Sequence, residues 1–328
     1  MKLTGLEAVD AGFRACVEER LASIETRLLE AAEADTRLVS EAAQHIIAAG
    51  GKRFRPMLVV VASQMDGGAD PERVDQAALV VELTHVASLY HDDVMDDADL
   101  RRGAESANRR WQNSVAILVG DYLFARASDI VAELGKDFVQ LQARTFARLV
   151  QGQIAETIGP ADGVDPLEHH LQVIADKTGS LIATSAMFGG MVAERPSEQL
   201  DVLQSFGEQI GVVFQLHDDI IDITSDVTGK TPGTDLREGV PTLPTLLVRR
   251  MGRAEDARLI ELMDSELAGE EDLAEAVELL RAHPAIDEAR AEVRRRAHAA
   301  RATLEALPEG SARSALAALC DQVINRED

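Results

Sequence analysis

The stretch Leu6-Glu-Ala-Val-Asp-Ala-Gly-Phe-Arg-Ala-Cys-Val-Glu-Glu-Arg-Leu-Ala-Ser-Ile-Glu-Thr-Arg-Leu28 decides the fold class. Its large apolar residues, Leu6, Val9, Phe13, Val17, Leu21, Ile24 and Leu28, step by three or four. Residues at that spacing share one face of a helix, whereas a half-buried strand needs strict alternation. The same pattern recurs over residues 72–96, 109–134, 136–158, 166–193, 198–225 and 286–306. Alanine, the best helix former, is abundant, and aromatic residues, which strands favour, make up only 3% of the chain. The expected fold is all-α, a bundle of many antiparallel helices, too long and numerous for a four-helix bundle.

The periodicity breaks at residues 49–52, 66–71, 159–166 and 226–244. The last stretch is punctuated by Gly229, Pro232, Gly233, Gly239, Pro241 and Pro244, as a lid or binding loop would be. None of the breaks has the composition of a flexible linker, so residues 1–328 are read as a single domain. The formal charge of −24, from 33 basic and 57 acidic side chains, argues against a nucleic-acid partner, because phosphate affinity comes mainly from clustered cations. No apolar run reaches the roughly 18 residues that a membrane span needs. Residues 1–11 lack the apolar centre of a signal peptide, and Cys16 and Cys320 alone cannot make a disulfide framework. A globular, cytoplasmic protein is expected.

Within that acidic chain one motif occurs twice. His91-Asp92-Asp93-Val94-Met95-Asp96 recurs 126 residues on as His217-Asp218-Asp219-Ile220-Ile221-Asp222. Residues four apart share a helix face, so Asp92 projects with Asp96 and Asp218 with Asp222. His85 and Ser88 extend the first stripe backwards; Glu208, Gly211 and Gln215 extend the second. Gathered carboxylates repel one another and need cations, and hard oxygen donors select Mg²⁺ or Ca²⁺ over zinc. Magnesium is usually held by one or two carboxylates together with substrate phosphates, so the two clusters suggest a multi-metal clamp on a diphosphate. A single Asp-Asp-x-x-Asp in so acidic a chain is as readily a solvated helix face. Two copies, each after a histidine and in apolar surroundings, carry far more weight.

The cations sharpen that reading. Gly50-Gly51-Lys52-Arg53-Phe54-Arg55-Pro56 gathers three positive charges just before a predicted helix, a natural place for an anion. Arg101-Arg102 follow the first cluster, Lys177-Thr178 sit on a predicted helix, and Lys230 follows the second cluster. Alone, Arg101 and Arg102 would be a surface pair balancing Asp97 and Asp99, and Lys52 a loop lysine. Together they imply more than one phosphate-bearing ligand.

These motifs resemble those of the trans-isoprenyl (polyprenyl) diphosphate synthases, above all the bacterial long-chain members. The resemblance runs from about Glu41 to the region of residues 315–326. It covers Gly-Gly-Lys-x-x-Arg-Pro, the first aspartate motif with its double arginine, and Gly211-x-x-Phe214-Gln215-x-x-Asp218-Asp219-x-x-Asp222 followed by Gly229-Lys230 and Gly233-x-Asp235. It implies the isoprenoid synthase fold, with helices around a central cavity, a homodimer, and three Mg²⁺ per active site. It implies that Lys52, Arg55 and His85, with Arg102, hold the diphosphate of isopentenyl diphosphate. Asp92, Asp96 and Asp218 would ligate Mg²⁺ that bridges to an allylic diphosphate such as farnesyl or geranylgeranyl diphosphate, and Asp93, Asp219 and Asp222 complete the clamp. Arg101, Lys177 and Lys230 would neutralise the departing diphosphate, with Thr178 and Gln215 beside the allylic cation. The implied reaction is ionisation, condensation and elimination. Many relatives have Gly-Lys where this chain has Gly239-Val240, so one cation of the pattern is missing.

Product length follows from the same resemblance. Short-chain members carry aromatics at the fourth and fifth positions before the first aspartate; here these are Ser88 and Ala87, both small. The two-residue insertion of bacterial farnesyl-type enzymes is absent as well. The implied product is long, about C30 to C50, as for quinone side chains, with geranylgeranyl or farnesyl diphosphate as the alternative. A class I terpene cyclase would share the helices and one aspartate motif, but neither Gly-Gly-Lys-x-x-Arg-Pro nor the second motif. A non-catalytic helical subunit of a heteromeric synthase would have lost aspartates, and none is lost here.

Overall fold

The structure, a computed structural model, describes residues 9–224, 232–265, 267 and 269–325. Fifteen helices account for most of these residues: α1 (Ala11–Ala31), α2 (Arg37–Ala48), α3 (Phe54–Ser63), α4 (Pro71–Met95), α5 (Ala107–Leu134), α6 (Lys136–Ile158), α7 (Pro166–Ile174), α8 (Ser180–Val192), α9 (Ser197–Thr224), α10 (Thr234–Arg237), α11 (Leu243–Met251), α12 (Ala257–Met263), α13 (Glu270–Arg281), α14 (Pro284–Thr303) and α15 (Ser311–Asn325). The only sheet among the described residues is a two-stranded antiparallel hairpin, β1 (Leu100–Arg101) with β2 (Ala104–Glu105). The fold is all-α, as the periodicity requires. No helix among the described residues is long and apolar enough to cross a membrane.

In α1, Val17, Leu21, Ile24 and Leu28 are all buried, and Asp10 caps the helix by accepting a hydrogen bond from the Phe13 amide. Leu6 lies outside the described residues. The other periodic stretches become α4, α5, α6, α7 with α8, α9 and α14, their ends within three residues of the sequence estimate. Asp70 and Asp165 cap α4 and α7, each followed by a proline in the first turn, where its missing amide costs no hydrogen bond. The stretch 226–244 differs from the expected loop: it contains α10 and the start of α11. Pro244 sits in the first turn of α11, behind a Thr242–Thr245 capping box, so a residue read as a breaker is a helix initiator.

The chain divides into two compact units, each assembled from three separate segments. The first comprises Met1–Phe146, Leu181–Gln204 and Ala306–Leu316; the second comprises Ala147–Ser180, Ser205–Glu305 and Ala317–Asp328. In the first unit, α4 packs along α5 and α3, and the Tyr90 hydroxyl donates to the Ala42 carbonyl of α2. In the second, α11 packs on α14 and α7, with Leu243, Val248, Ala289 and Val293 buried among them.

Candidate active site

In the first unit, residues 50–53 form a loop that runs into α3. A side chain at Gly51 would collide with the guanidinium groups of Arg53 and Arg102, at 3.0 Å and 2.9 Å from a Cβ. Arg53 takes a left-handed backbone (φ 48°), and its buried side chain secures that turn. It donates to Glu25 of α1 at 2.6 and 2.7 Å, to Glu82 of α4 at 2.8 Å and to the Ile47 carbonyl at 2.8 Å. Arg102 lies 3.8 Å from the same Glu82 carboxylate and donates to the carbonyls of Ile46 and Gly50. Arg53 thus closes the loop rather than presenting its charge. Lys52 is left exposed, and Arg55 stands in the first turn of α3.

Arg55 Nε is buried without a hydrogen-bond partner. Burial pushes its guanidinium down to about 10, with Glu82 opposing the shift and Arg102 reinforcing it, so the group stays cationic at neutral pH. His85, three residues after Glu82 on α4, is held well below the usual imidazole range by burial and then by Arg55, Arg102, Arg101 and Arg53. A neutral imidazole and an orphaned guanidinium N–H in one cationic corner suit a multiply charged anion.

Two turns further along, α4 ends at Met95, and the Asp96 amide donates to the Asp92 carbonyl at 2.8 Å. Asp92, half-buried, and Asp96, exposed, stand at the carbonyl end of the helix, where the dipole adds to their negative potential. Asp93 is fully buried: its Oδ1 accepts from Arg101 Nε and pairs with Nη2, both at 2.6 Å, while Oδ2 is buried and unpartnered. Burial raises the Asp93 carboxyl above its ordinary range; Arg101 opposes the shift and Asp96 adds to it. The β1–β2 hairpin is what brings Arg101 back over the end of α4. Ala87 and Ser88 are both buried, and the Ser88 hydroxyl donates to the His85 carbonyl. The Ala87 carbonyl faces Gly120 of α5, 3.2 Å from where a Cβ would stand.

In the second unit, α9 carries the second cluster. Asp219 is buried: its Oδ2 meets His170 Nε2 at 2.9 Å and accepts from the Leu243 amide at 3.0 Å, while Oδ1 lies 3.5 Å from Gln215 Nε2. It therefore ties α7 and the start of α11 to α9. Asp222 accepts from the Asp235 amide through Oδ2 and from the Gly233 amide through its carbonyl, anchoring the segment that leads into α10. Asp218, one turn earlier, is half-buried. Lys230 lies outside the described residues.

α7 passes into α8 through a single π turn, Ala175–Gly179, which holds Lys177 and Thr178. Such turns carry one surplus residue and break helical regularity, often at functional positions. The Thr178 hydroxyl donates to Gln215 Oε1 at 3.5 Å, which brings together two residues 37 apart in sequence. α6 flanks the turn: Arg148 bridges Asp176 at 2.9 Å and Glu208 at 2.6 Å, and Lys177 Nζ reaches Glu156 at 2.5 Å.

Among the described residues no three acidic, histidine or cysteine side chains converge into a ready-made metal cage. Mg²⁺ needs none, since it takes one or two carboxylates and completes its shell from phosphate and water. Asp92 with Asp96, hard oxygen donors at a negative helix end, fit that ion.

A family described as polyprenyl synthetase matches residues 36–280. The chain belongs to that family. Nonaprenyl diphosphate synthase of Mycobacterium tuberculosis is 44% identical over 327 residues, covering 99% of this chain and 97% of that protein. Octaprenyl diphosphate synthase of Escherichia coli is 32% identical over 310 residues, 94% of this chain and 96% of that one. Among solved structures, geranylgeranyl pyrophosphate synthase of Corynebacterium glutamicum, complexed with calcium and isoprenyl diphosphate, superposes with a TM-score of 0.86 at 42% identity. It covers 96% of this chain and 97% of its own. As a member of the polyprenyl synthetase family, the chain is a prenyltransferase with the isoprenoid synthase fold.

In this polyprenyl synthetase several side chains that hold the motif residues lie outside the motifs themselves. Glu82 was legible in principle, because it stands one helical step behind His85 on the same stripe. His170, which belongs to no motif, lies against Asp219. Arg148, Gly152 and Glu156 gave no signal, since nothing in the sequence shows that α6 packs beside residues 175–179.

Proposed function

We propose that the chain is an Mg²⁺-dependent all-trans polyprenyl diphosphate synthase that condenses isopentenyl diphosphate with an allylic diphosphate and makes a long-chain product for quinone side chains. One observation carries the proposal: α4 lines up two opposite binding chemistries. At His85, with Arg55 and Arg102, it offers cations and a neutral imidazole for a bare diphosphate. At Asp92 and Asp96, about 10 Å further along at 1.5 Å per residue, it offers carboxylates for a diphosphate that arrives with metal. A head-to-tail condensation needs both.

Asp92, Asp96 and Asp218 would hold Mg²⁺, three ions per site, and the metal supplies positive charge where the leaving diphosphate becomes more negative. Asp93 and Asp219, buried on Arg101 and on His170 with α11, fix the geometry of the clusters, as does Asp222 through Asp235. Arg101, Lys177 and Lys230 add charge at the leaving group. Lys52, Arg55 and Arg102 bind isopentenyl diphosphate, with His85 contributing a neutral hydrogen bond. Thr178 and Gln215 set oxygen dipoles beside the allylic cation. The isopentenyl double bond attacks that cation, forming the new carbon–carbon bond, and a proton leaves the adjacent carbon for the released diphosphate. No nucleophilic side chain takes part. The same reading makes the protein a cytoplasmic homodimer of single-domain subunits.

Support for a long product comes from the small, buried Ala87 and Ser88 and from the nonaprenyl and octaprenyl synthases among the relatives. A geranylgeranyl product is the second reading, favoured by the Corynebacterium structure. Chromatography of products from farnesyl diphosphate with excess labelled isopentenyl diphosphate separates them: C30 or longer supports the first, a stop at C20 the second. Diphosphate release from the allylic substrate alone, and none from the pair, would indicate a cyclase. Asp92→Ala is expected to lower turnover by about a hundredfold or more; unchanged turnover would sink the metal assignment.

A further inference from the structure

The π turn at residues 175–179 is seated on one face of α6. Arg148, Gly152 and Glu156 are spaced four and four, so they share that face. Arg148 Nε holds Asp176 at 2.9 Å on one side of the turn, and Glu156 Oε2 holds Lys177 Nζ at 2.5 Å on the other. Between them, Gly152 lies so close that a Cβ would stand 2.7 Å from the backbone nitrogen of Lys177. The neighbour there is backbone rather than a flexible side-chain tip, so the contact cannot be relieved cheaply. Across the turn, Gly179 meets the Glu208 carbonyl of α9 at 3.2 Å from a Cβ, and Arg148 also binds the Glu208 side chain at 2.6 Å. The turn is thereby fixed on both sides through its backbone and Asp176, while Lys177 is held only at its tip, by Glu156.

We propose that this face of α6 positions Lys177, and that Lys177 exchanges between Glu156 and the diphosphate of an allylic substrate. The proposal rests on the reading of Lys177 as a diphosphate contact and adds Glu156 as the positioning residue that acts through it. The Lys177 and Glu156 side chains are 29% and 35% exposed. Water screens a pair so placed, and its attraction is weak enough to be surrendered to a stronger anion. A diphosphate carries more charge and several acceptor oxygens, so it wins the ammonium when present. Once Lys177 has left, Glu156 is a carboxylate that has lost its ammonium, and recovery of that pair favours the reverse exchange when inorganic diphosphate must depart. Glu156 thus trades affinity for turnover.

The test is a double-mutant cycle on the full chain, with calorimetric binding of farnesyl thiodiphosphate, a non-ionising allylic analogue, in the presence of Mg²⁺. Glu156→Gln is expected to bind the analogue about fivefold more tightly than the native chain, with KM for isopentenyl diphosphate unchanged. Lys177→Met is expected to bind it more weakly, and adding Glu156→Gln to Lys177→Met should then change nothing beyond about twofold. If Glu156→Gln tightens binding equally with and without Lys177, the carboxylate acts by plain repulsion and the exchange is refuted; weaker binding by Glu156→Gln alone refutes it too. If Lys177→Met by itself binds like the native chain, the failure lies in the role of Lys177, and the exchange falls with it.

Discussion

Glu82 is an acidic residue that the cationic corner cannot do without. Its carboxylate, 2% exposed, is the buried counter-charge shared by Arg53 and Arg102, and it steadies Arg55 as well. Removing one partner of a buried pair leaves the others uncompensated, so Glu82→Gln is expected to cost about 3 kcal/mol, read from urea unfolding. His85 makes a second prediction. Its folded value lies well below the roughly 6.5 of an unfolded chain, so between the two the unfolded state binds more protons. Stability from this group is therefore complete above about pH 6.5 and is lost as pH falls towards the folded value. His85→Gln should flatten the dependence of the unfolding midpoint on pH between about 7.5 and 5, and an unchanged slope would refute the assignment. At this scale the sequence distinguishes the stripe of Asp92 and Asp96 from Asp93, because adjacent helical residues are about 100° apart. It does not reveal what meets the aspartates that turn inward. Arg101 for Asp93, and His170 with the Leu243 amide for Asp219, come from elements that only the fold brings near.

At the scale of the element, legibility followed amphipathicity. α1 and α6 each have a wet face and a dry one, so their period is written in the chain. α3 is announced by Pro56 at its start rather than by periodicity, because Pro56 to Ser63 are all buried, and a helix that is dry on every side has no period to read. The π turn is unannounced for another reason: its surplus residue is a property of how α6 and α9 pack against it, not of Ala175–Gly179 alone. That packing is testable. Gly152→Ala pushes on the Lys177 amide, and it is expected to lower kcat at least about tenfold while leaving KM for isopentenyl diphosphate unchanged. A matching fall in helical circular dichroism or in the thermal midpoint would mean that the substitution merely unfolds the helix.

For the whole molecule, the charge of −24 describes the solvent-facing surface more than the sites, since a Debye length of about 8 Å at physiological salt confines each charge to its neighbourhood. Only five of the 33 basic residues are lysines, yet three of them, Lys52, Lys177 and Lys230, fall in the proposed diphosphate contacts. Because Asp92 is only half-buried and Asp96 is exposed, an ion held there is expected to depend on substrate phosphate rather than to staple the fold. Chelation by EDTA is expected to abolish turnover without shifting the thermal midpoint. Mg²⁺ should raise that midpoint when inorganic pyrophosphate is present and not when it is absent, because only the complex adds a ligand for the folded state. The interleaving of the two units has a consequence for synthesis on the ribosome. The first unit is complete only with Ala306–Leu316 and the second only with Ala317–Asp328, so neither can be finished until almost the entire chain has been translated. Domains that lie one after another can fold in turn as they emerge; here both units wait for the last helix, and a ribosome that stalls before residue 306 leaves two unfinished cores rather than one finished and one missing.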